Sequence, residues 1–104
     1  ESHYAPRAKV RLMPAAQLRA ALGVLGSPAA GSAPGVAVYS RSPDGVPPGL
    51  PWRRFPDDDR AAAHDLFAGL RALDATGVPL IWVETPPDTP AWEGVRDRLR
   101  RAAA

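Results

Sequence analysis

The chain has 104 residues, of which 45% are hydrophobic and 23% are charged, a composition typical of one small globular domain. It contains no cysteine, which excludes a disulfide scaffold, a zinc ribbon, an iron–sulfur site and thiol chemistry. Thirteen basic residues against eleven acidic ones leave a net charge of only +2, so the chain is not a polycation. No apolar run approaches the roughly 20 residues that a membrane-spanning helix needs, and we expect no membrane partner.

The first half of the chain predicts two strands separated by a helix. Lys9–Met13 alternates charged and apolar residues, the pattern of a half-buried strand. Ala15–Leu25 follows a proline suited to the first helical position. Three leucines share one face of this helix: Leu18, Leu22 and Leu25. The apolar residues 36–39 are typical of a strand buried in a sheet, and the segment 40–51, rich in proline and glycine, predicts a loop with defined turns.

A short strand and a long helix follow. Residues 52–55 are bounded by prolines, which favours a strand at the edge of a sheet. Three successive aspartates at 57–59 could hold a hard cation, but negative charge is also favourable at a helix N-terminus, and we interpret them as a helix start. A continuous apolar stripe runs along the helix behind them, and Gly77 ends it. The stripe consists of Ala63, Leu66, Phe67, Leu70 and Leu73.

The last part predicts a buried strand over residues 78–83 and a final helix. Thr89 and Pro90 are typical of an N-cap followed by the first helical turn. The apolar side of this helix carries Trp92, Val95 and Leu99. Strands alternating with helices predict an α/β fold: a single small three-layer, Rossmann-like domain with a mainly parallel sheet of about four strands and helices on its faces.

The chain shows no catalytic or metal-binding constellation. Its glycines at 23, 26, 31 and 35 match neither a dinucleotide-binding nor a P-loop spacing, and two histidines without cysteine do not supply a histidine-rich metal site. His64 and Asp65 suggest a general base. Because neighbours in sequence do not face each other on a helix, we interpret them as a solvated polar face. We therefore predict no catalytic residue, no metal ligand and no cofactor in this chain.

One aromatic and basic cluster is a candidate partner surface. Trp52 lies beside Arg53 and Arg54, and stacking with flanking cations suits an anionic partner such as RNA. The arginines between positions 96 and 101 suggest the same chemistry, although cations are also common where a helix ends. A free-standing RNA-binding module is therefore one hypothesis for the function.

Three segments carry a second hypothesis. The extended N-terminal segment has the sequence SHYAP, formed by Ser2, His3, Tyr4, Ala5 and Pro6. The long helix contains the pattern LFxxLRxLD (positions 66–74), and the chain closes with DRLRRAA (positions 97–103). In this order they resemble the linker and C-terminal domain of two-domain threonylcarbamoyl-AMP synthases of the Sua/YciO/YrdC/YwlC family. The loop after residue 83 departs from the family, which more often has a glycine-rich turn there.

The resemblance implies an accessory role. Residues 1–8 would be the remnant of an interdomain linker and 9–104 the accessory α/β domain. Family members condense L-threonine, bicarbonate and ATP into threonylcarbamoyl-AMP, a nucleotidyl transfer used in cytoplasmic tRNA modification. ATP and Mg²⁺ bind to an N-terminal catalytic domain that this chain lacks. That domain is the expected partner, together with the tRNA-modification machinery. The five SHYAP residues are the only linker or lid candidates.

Overall fold

The computed structural model describes residues 5–104. It contains four strands, three α-helices and a short 3₁₀ turn over Pro90–Trp92. In chain order the elements are β1 (Lys9–Met13), α1 (Ala15–Leu25), β2 (Val36–Ser40), β3 (Trp52–Arg54), α2 (Asp59–Asp74), β4 (Leu80–Glu84) and α3 (Glu93–Ala103). Every predicted element is present, and the strand boundaries shift by one or two residues.

The four strands form one parallel sheet in the order β1-β4-β2-β3. Helices α2 and α3 pack on one face and α1 packs on the other. This confirms the predicted small α/β domain of three layers. The short strand β3 lies at the edge of the sheet, as its flanking prolines predict.

The core has two parts because the sheet is covered on both faces. The larger part lies beneath α2 and α3, and the smaller part lies beneath α1. Strand β2 is buried at all five positions, since it has a neighbouring strand on each side and a helix over each face. Trp92 packs in the larger cluster, whereas Trp82 is half-buried against the smaller one.

Helix α1 differs from its prediction at both ends. Pro14 precedes the helix as its N-cap rather than starting its first turn, because its ψ of 156° is extended. Its carbonyl accepts the first helical hydrogen bond, from the Leu18 amide at 2.9 Å. Leu25 was predicted to lie on the buried face, but it is 43% exposed. It occupies the last turn, where its neighbours are loop residues rather than the sheet.

No helix within the described range 5–104 is long and apolar enough to cross a membrane.

Helix α2 approaches β2 closely at one residue. A Cβ atom on Gly69 would lie 2.7 Å from the Tyr39 hydroxyl oxygen and 3.1 Å from Nε of Arg53. Both distances are shorter than ordinary van der Waals contact, and Tyr39 is fully buried and unable to move aside. The glycine is therefore required by packing and not by its backbone angles.

We expect Gly69→Ala to lower the free energy of unfolding by about 1–3 kcal/mol, the cost typical of overpacking a core. Gly23→Ala is the matched control, because Gly23 is also helical and nothing lies within 4 Å of its Cβ position. The control should be neutral or stabilising by up to about 1 kcal/mol. Urea unfolding of both variants measures the difference, and equal stabilities would contradict the packing argument.

Candidate functional site

The SHYAP segment leads into β1, and part of it is described. Ser2, His3 and Tyr4 lie outside the described residues. Ala5 is exposed and Pro6 is half-buried. We call residues 5–8 the lead-in. It runs past the C-terminal ends of α2 and α3 before the sheet begins.

One carboxylate anchors the lead-in to α2. The Arg7 amide donates to Asp74 Oδ2 at 3.0 Å, and the Ala8 amide donates to Oδ1 at 2.9 Å. Asp74 is the last residue of α2, where the helix dipole disfavours a negative charge. The two backbone amides offset that cost, so the carboxylate and the lead-in stabilise each other. Asp74 is also the final residue of the LFxxLRxLD pattern.

A second carboxylate, that of Asp65, joins α2 to the sheet. Its Oδ1 accepts from Arg53 Nη2 at 2.6 Å, and its Oδ2 accepts from Arg53 Nε at 3.2 Å and from the Tyr39 hydroxyl at 2.8 Å. We call these three residues the Asp65 network. The hydrogen bonds from Arg53 hold the pKa of Asp65 below its usual range. Burial, followed by the contact with Asp65, raises the pKa of Tyr39 and keeps its hydroxyl protonated.

The interpretation of residues 64 and 65 as a solvated face is therefore wrong for Asp65. His64 is exposed as expected, but Asp65 is three residues after Ala62 and four before Gly69, both buried. That spacing places it beside the buried stripe of the helix. A carboxylate there needs a partner. The predicted stripe contained neither Ala62 nor Gly69, so helical spacing in the sequence did not mark Asp65.

The candidate partner surface of Trp52, Arg53 and Arg54 is largely bonded to the domain itself. Trp52 Nε1 donates to Ser40 Oγ at 2.9 Å, and Arg53 belongs to the Asp65 network. The guanidinium carbon of Arg54 lies 5.3 Å from the centroid of the Trp52 ring. These contacts attach the edge strand to its neighbours. Binding of a partner at this surface stays a prediction.

The carboxyl-terminal side of the sheet, where parallel α/β folds usually bind ligands, holds an ion pair. Glu84 is 7% exposed and accepts from the Arg41 amide at 2.9 Å and from Arg41 Nη2 at 2.7 Å. The cavity beside this pair has a volume of about 60 Å³, whereas small-molecule sites typically have about 300–1,000 Å³. The pair ties the loop after β2 to the end of β4.

The described residues 5–104 contain no group of three or more histidines and carboxylates placed to hold a metal ion.

Comparison with protein families identifies the domain. The family model described as "threonylcarbamoyl-AMP synthase, C-terminal domain" matches residues 1–104, the whole chain. The chain belongs to this family. Neither a curated protein nor a solved structure gives a significant match. The resemblance drawn from the SHYAP, LFxxLRxLD and DRLRRAA segments is thereby confirmed. In this member of the threonylcarbamoyl-AMP synthase C-terminal domain family, the anchor joins Arg7 and Ala8, which directly follow SHYAP, to Asp74, the last residue of LFxxLRxLD.

We expect Asp74→Ala to release the lead-in. Each hydrogen bond to a charged group contributes about 1.5–3 kcal/mol, so hydrogen exchange at the Arg7 and Ala8 amides should accelerate by about tenfold or more. Asp74→Asn keeps one acceptor oxygen and should give an intermediate rate. Asp97→Ala is the control, since Asp97 pairs with Arg101 on the surface of α3. Unchanged exchange at both amides in Asp74→Ala would refute the anchor.

The Asp65 network predicts a specific dependence of stability on pH. Because the folded state lowers the pKa of Asp65, its contribution is present above the unfolded pKa of about 3.9 and is lost as the pH falls through the folded value. At pH 7, Asp65→Asn should cost about 1–3 kcal/mol of unfolding free energy, and the cost should shrink in acid below about pH 4. Urea unfolding of the wild type and the variant between about pH 2 and about pH 7, a range that brackets the titration of an aspartate, measures this cost.

The exposed Asp57 provides the control for this titration. Asp57→Asn should change the unfolding free energy by less than about 0.5 kcal/mol, as is usual for surface substitutions. A cost of Asp65→Asn that stays constant across the pH range would contradict the role assigned to the ionised carboxylate.

Proposed function

We propose that the domain is the accessory part of an enzyme that converts L-threonine, bicarbonate and ATP into threonylcarbamoyl-AMP and pyrophosphate. The product would supply threonylcarbamoyladenosine formation on tRNA in the cytoplasm. Membership in the family of C-terminal domains supports this proposal, since such a domain implies an N-terminal partner. ATP and Mg²⁺ would bind to that catalytic domain, and residues 9–104 would carry no catalytic group.

The observation that carries the proposal is the Asp74 anchor. Two adjacent amides of the lead-in bind one carboxylate at 3.0 and 2.9 Å, so a linker formed by residues 1–8 would have a fixed point of attachment on this domain. A linker fixed at one end loses less conformational freedom when its other residues close over a neighbouring site. Ser2, His3 and Tyr4 are the residues of the segment that would reach that site.

A lid of this kind has a clear chemical purpose. Carbamoyl-adenylates are activated towards attack by water, and closure of a segment over the site excludes the solvent. The domain would thus serve catalysis by holding the base of the lid, without contacting the reacting atoms.

The alternative of an RNA-binding module has weaker support. Its candidate residues, Trp52, Arg53 and Arg54, bond to Ser40, to Asp65 and to each other. Contact with RNA bases would have to compete with these bonds. The anchor of the lead-in, by contrast, has no role in that hypothesis.

A reconstituted reaction tests the proposal. The 104-residue chain alone should release no pyrophosphate in a threonine-dependent manner, whereas the two-domain protein encoded with its upstream catalytic domain should do so. In the two-domain protein, His3→Ala with Tyr4→Ala should lower turnover by about tenfold or more if closure of the lid limits the rate.

Glu1→Ala, at the margin of the SHYAP segment, is the control and should leave turnover unchanged. Robust turnover by the isolated chain would overturn the proposal. Full activity of the catalytic domain after removal of residues 5–104 would overturn it as well.

A further inference from the structure

The amino-terminal side of the sheet, where the strands begin, gathers several features that the anchor does not explain. In a parallel sheet with helical crossovers, the helices end on this side. It therefore holds the lead-in, the loop 26–35, the end of α1 and the C-terminal turns of α2 and α3. We call this surface the amino-terminal side.

An exposed apolar patch occupies one part of it. Val24 is 90% exposed and Leu25 is 43% exposed, and both lie in the last turn of α1. Leu25 borders a groove of about 200 Å³ that is largely lined by Pro28, Ala29, Ala33 and Leu50. Side chains of this size lose about 1.5–3 kcal/mol of burial energy when they face water. Val24 and Leu25, beside the groove, offer apolar surface that a partner would bury.

A cationic cavity occupies the other part. Its volume is about 220 Å³, and it lies between the lead-in and the end of α3. Arg7, Lys9 and Arg101 line it and are exposed, while Pro6 and Ala102 contribute apolar surface. Arg101 also pairs with Asp97 at 3.0 Å. Three cations around one small cavity attract carboxylates more than any other protein group.

The two features are close enough to belong to one interface. The cavity adjoins β1, and the groove adjoins the start of β2, two positions away in the strand order. The two features lie on opposite faces of the sheet, because the cavity is beside α3 and the groove is beside α1, and both are found at the amino-terminal end of the strands. A standard protein interface covers about 800 Å² on each partner and spans both.

We propose that the amino-terminal side is the surface on which the N-terminal catalytic domain docks, an inference that rests on the proposed function. The lead-in, which Asp74 binds at Arg7 and Ala8, lies on that side, so a linker to the catalytic domain would join this domain there. A tether at the interface raises the effective concentration of the partner there. The docking surface of the catalytic domain carries apolar side chains that fill the groove, flanked by carboxylates that face Arg7, Lys9 and Arg101.

The charge and shape of the surface favour a protein over a nucleic acid. A phosphate backbone would engage the cations, but it offers nothing to Val24, Leu25 and the aliphatic groove. Interfaces between proteins typically combine an apolar centre with a polar rim. A tRNA bound at this side is accordingly an outcome that would contradict the proposal.

Hydrogen exchange locates the interface directly. Amides at residues 5–10, 22–29 and 99–104 should exchange at least about threefold more slowly in the two-domain protein than in the 104-residue chain, because docking covers them. Amides at residues 41–46 and 85–90, on the carboxyl-terminal side, should exchange equally in both. Protection confined to the carboxyl-terminal side would overturn the proposal.

Substitutions test the two features separately, using the 104-residue chain and the catalytic domain expressed apart. Val24→Asp should weaken the affinity of the chain for the catalytic domain by about tenfold. The double variant Lys9→Glu with Arg101→Glu should weaken this affinity by about the same factor and make it less dependent on salt. The controls are Ala16→Asp and Arg60→Glu. Both sites are exposed in first turns of helices on the carboxyl-terminal side, where added negative charge is favourable.

The outcomes separate this inference from the function on which it rests. If the two-domain protein is active and needs this domain, yet the test variants bind as tightly as the controls, the docking surface is wrong and the function stands. If the two-domain protein neither forms threonylcarbamoyl-AMP nor depends on residues 5–104, the function itself is wrong. Loss of tRNA binding by Lys9→Glu with Arg101→Glu, with unchanged affinity for the catalytic domain, would overturn the docking surface.

Discussion

Helix α2 can lie against β2 because Gly69 leaves room for the hydroxyl of Tyr39, which then donates to Asp65 on the same helix. A larger side chain at position 69 would not fit, since Tyr39 is fully buried and its ring lies 4.7 Å from that of Phe55. Arg53 completes the arrangement by binding the Asp65 carboxylate with two nitrogens. Shape and charge thus fix both the distance and the rotation of α2 relative to the sheet.

The position of the lead-in follows from the position of this helix. Asp65 and Asp74 are nine residues apart on one continuous helix, or about 14 Å at 1.5 Å per residue. A rigid helix fixed at Asp65 therefore places the Asp74 carboxylate where the Arg7 and Ala8 amides meet it. Two of the carboxylates of α2 thus have different roles: Asp65 fixes the helix against the sheet, and Asp74 holds the lead-in.

The sequence was sufficient for the fold and insufficient for the site, for a physical reason. Periodicity and proline placement are local, and they correctly predicted the elements and the edge position of β3. The Asp74 and Asp65 contacts join residues 66 and 26 positions apart, and no local pattern specifies such pairs. The prediction that Leu25 is buried was wrong for a related reason: helical spacing does not show where the sheet beneath a helix ends. Only the LFxxLRxLD pattern marked Asp74, and it did so by resemblance.

The carboxyl-terminal and amino-terminal sides of the sheet differ in the surface that they offer to a ligand or a partner. Open α/β folds generally bind ligands at the carboxyl ends of their strands, but here Arg41 and Glu84 bind each other beside a cavity of about 60 Å³. The opposite side holds the lead-in and three cations beside the end of α3 and, on the other face of the sheet, the exposed apolar last turn of α1. Under the proposed function the domain holds a linker, and its functional surface would lie where the chain enters the sheet, which in a parallel sheet is the side on which β1 begins. The proposed function therefore uses the side of the sheet opposite to the one at which parallel α/β enzymes bind their ligands.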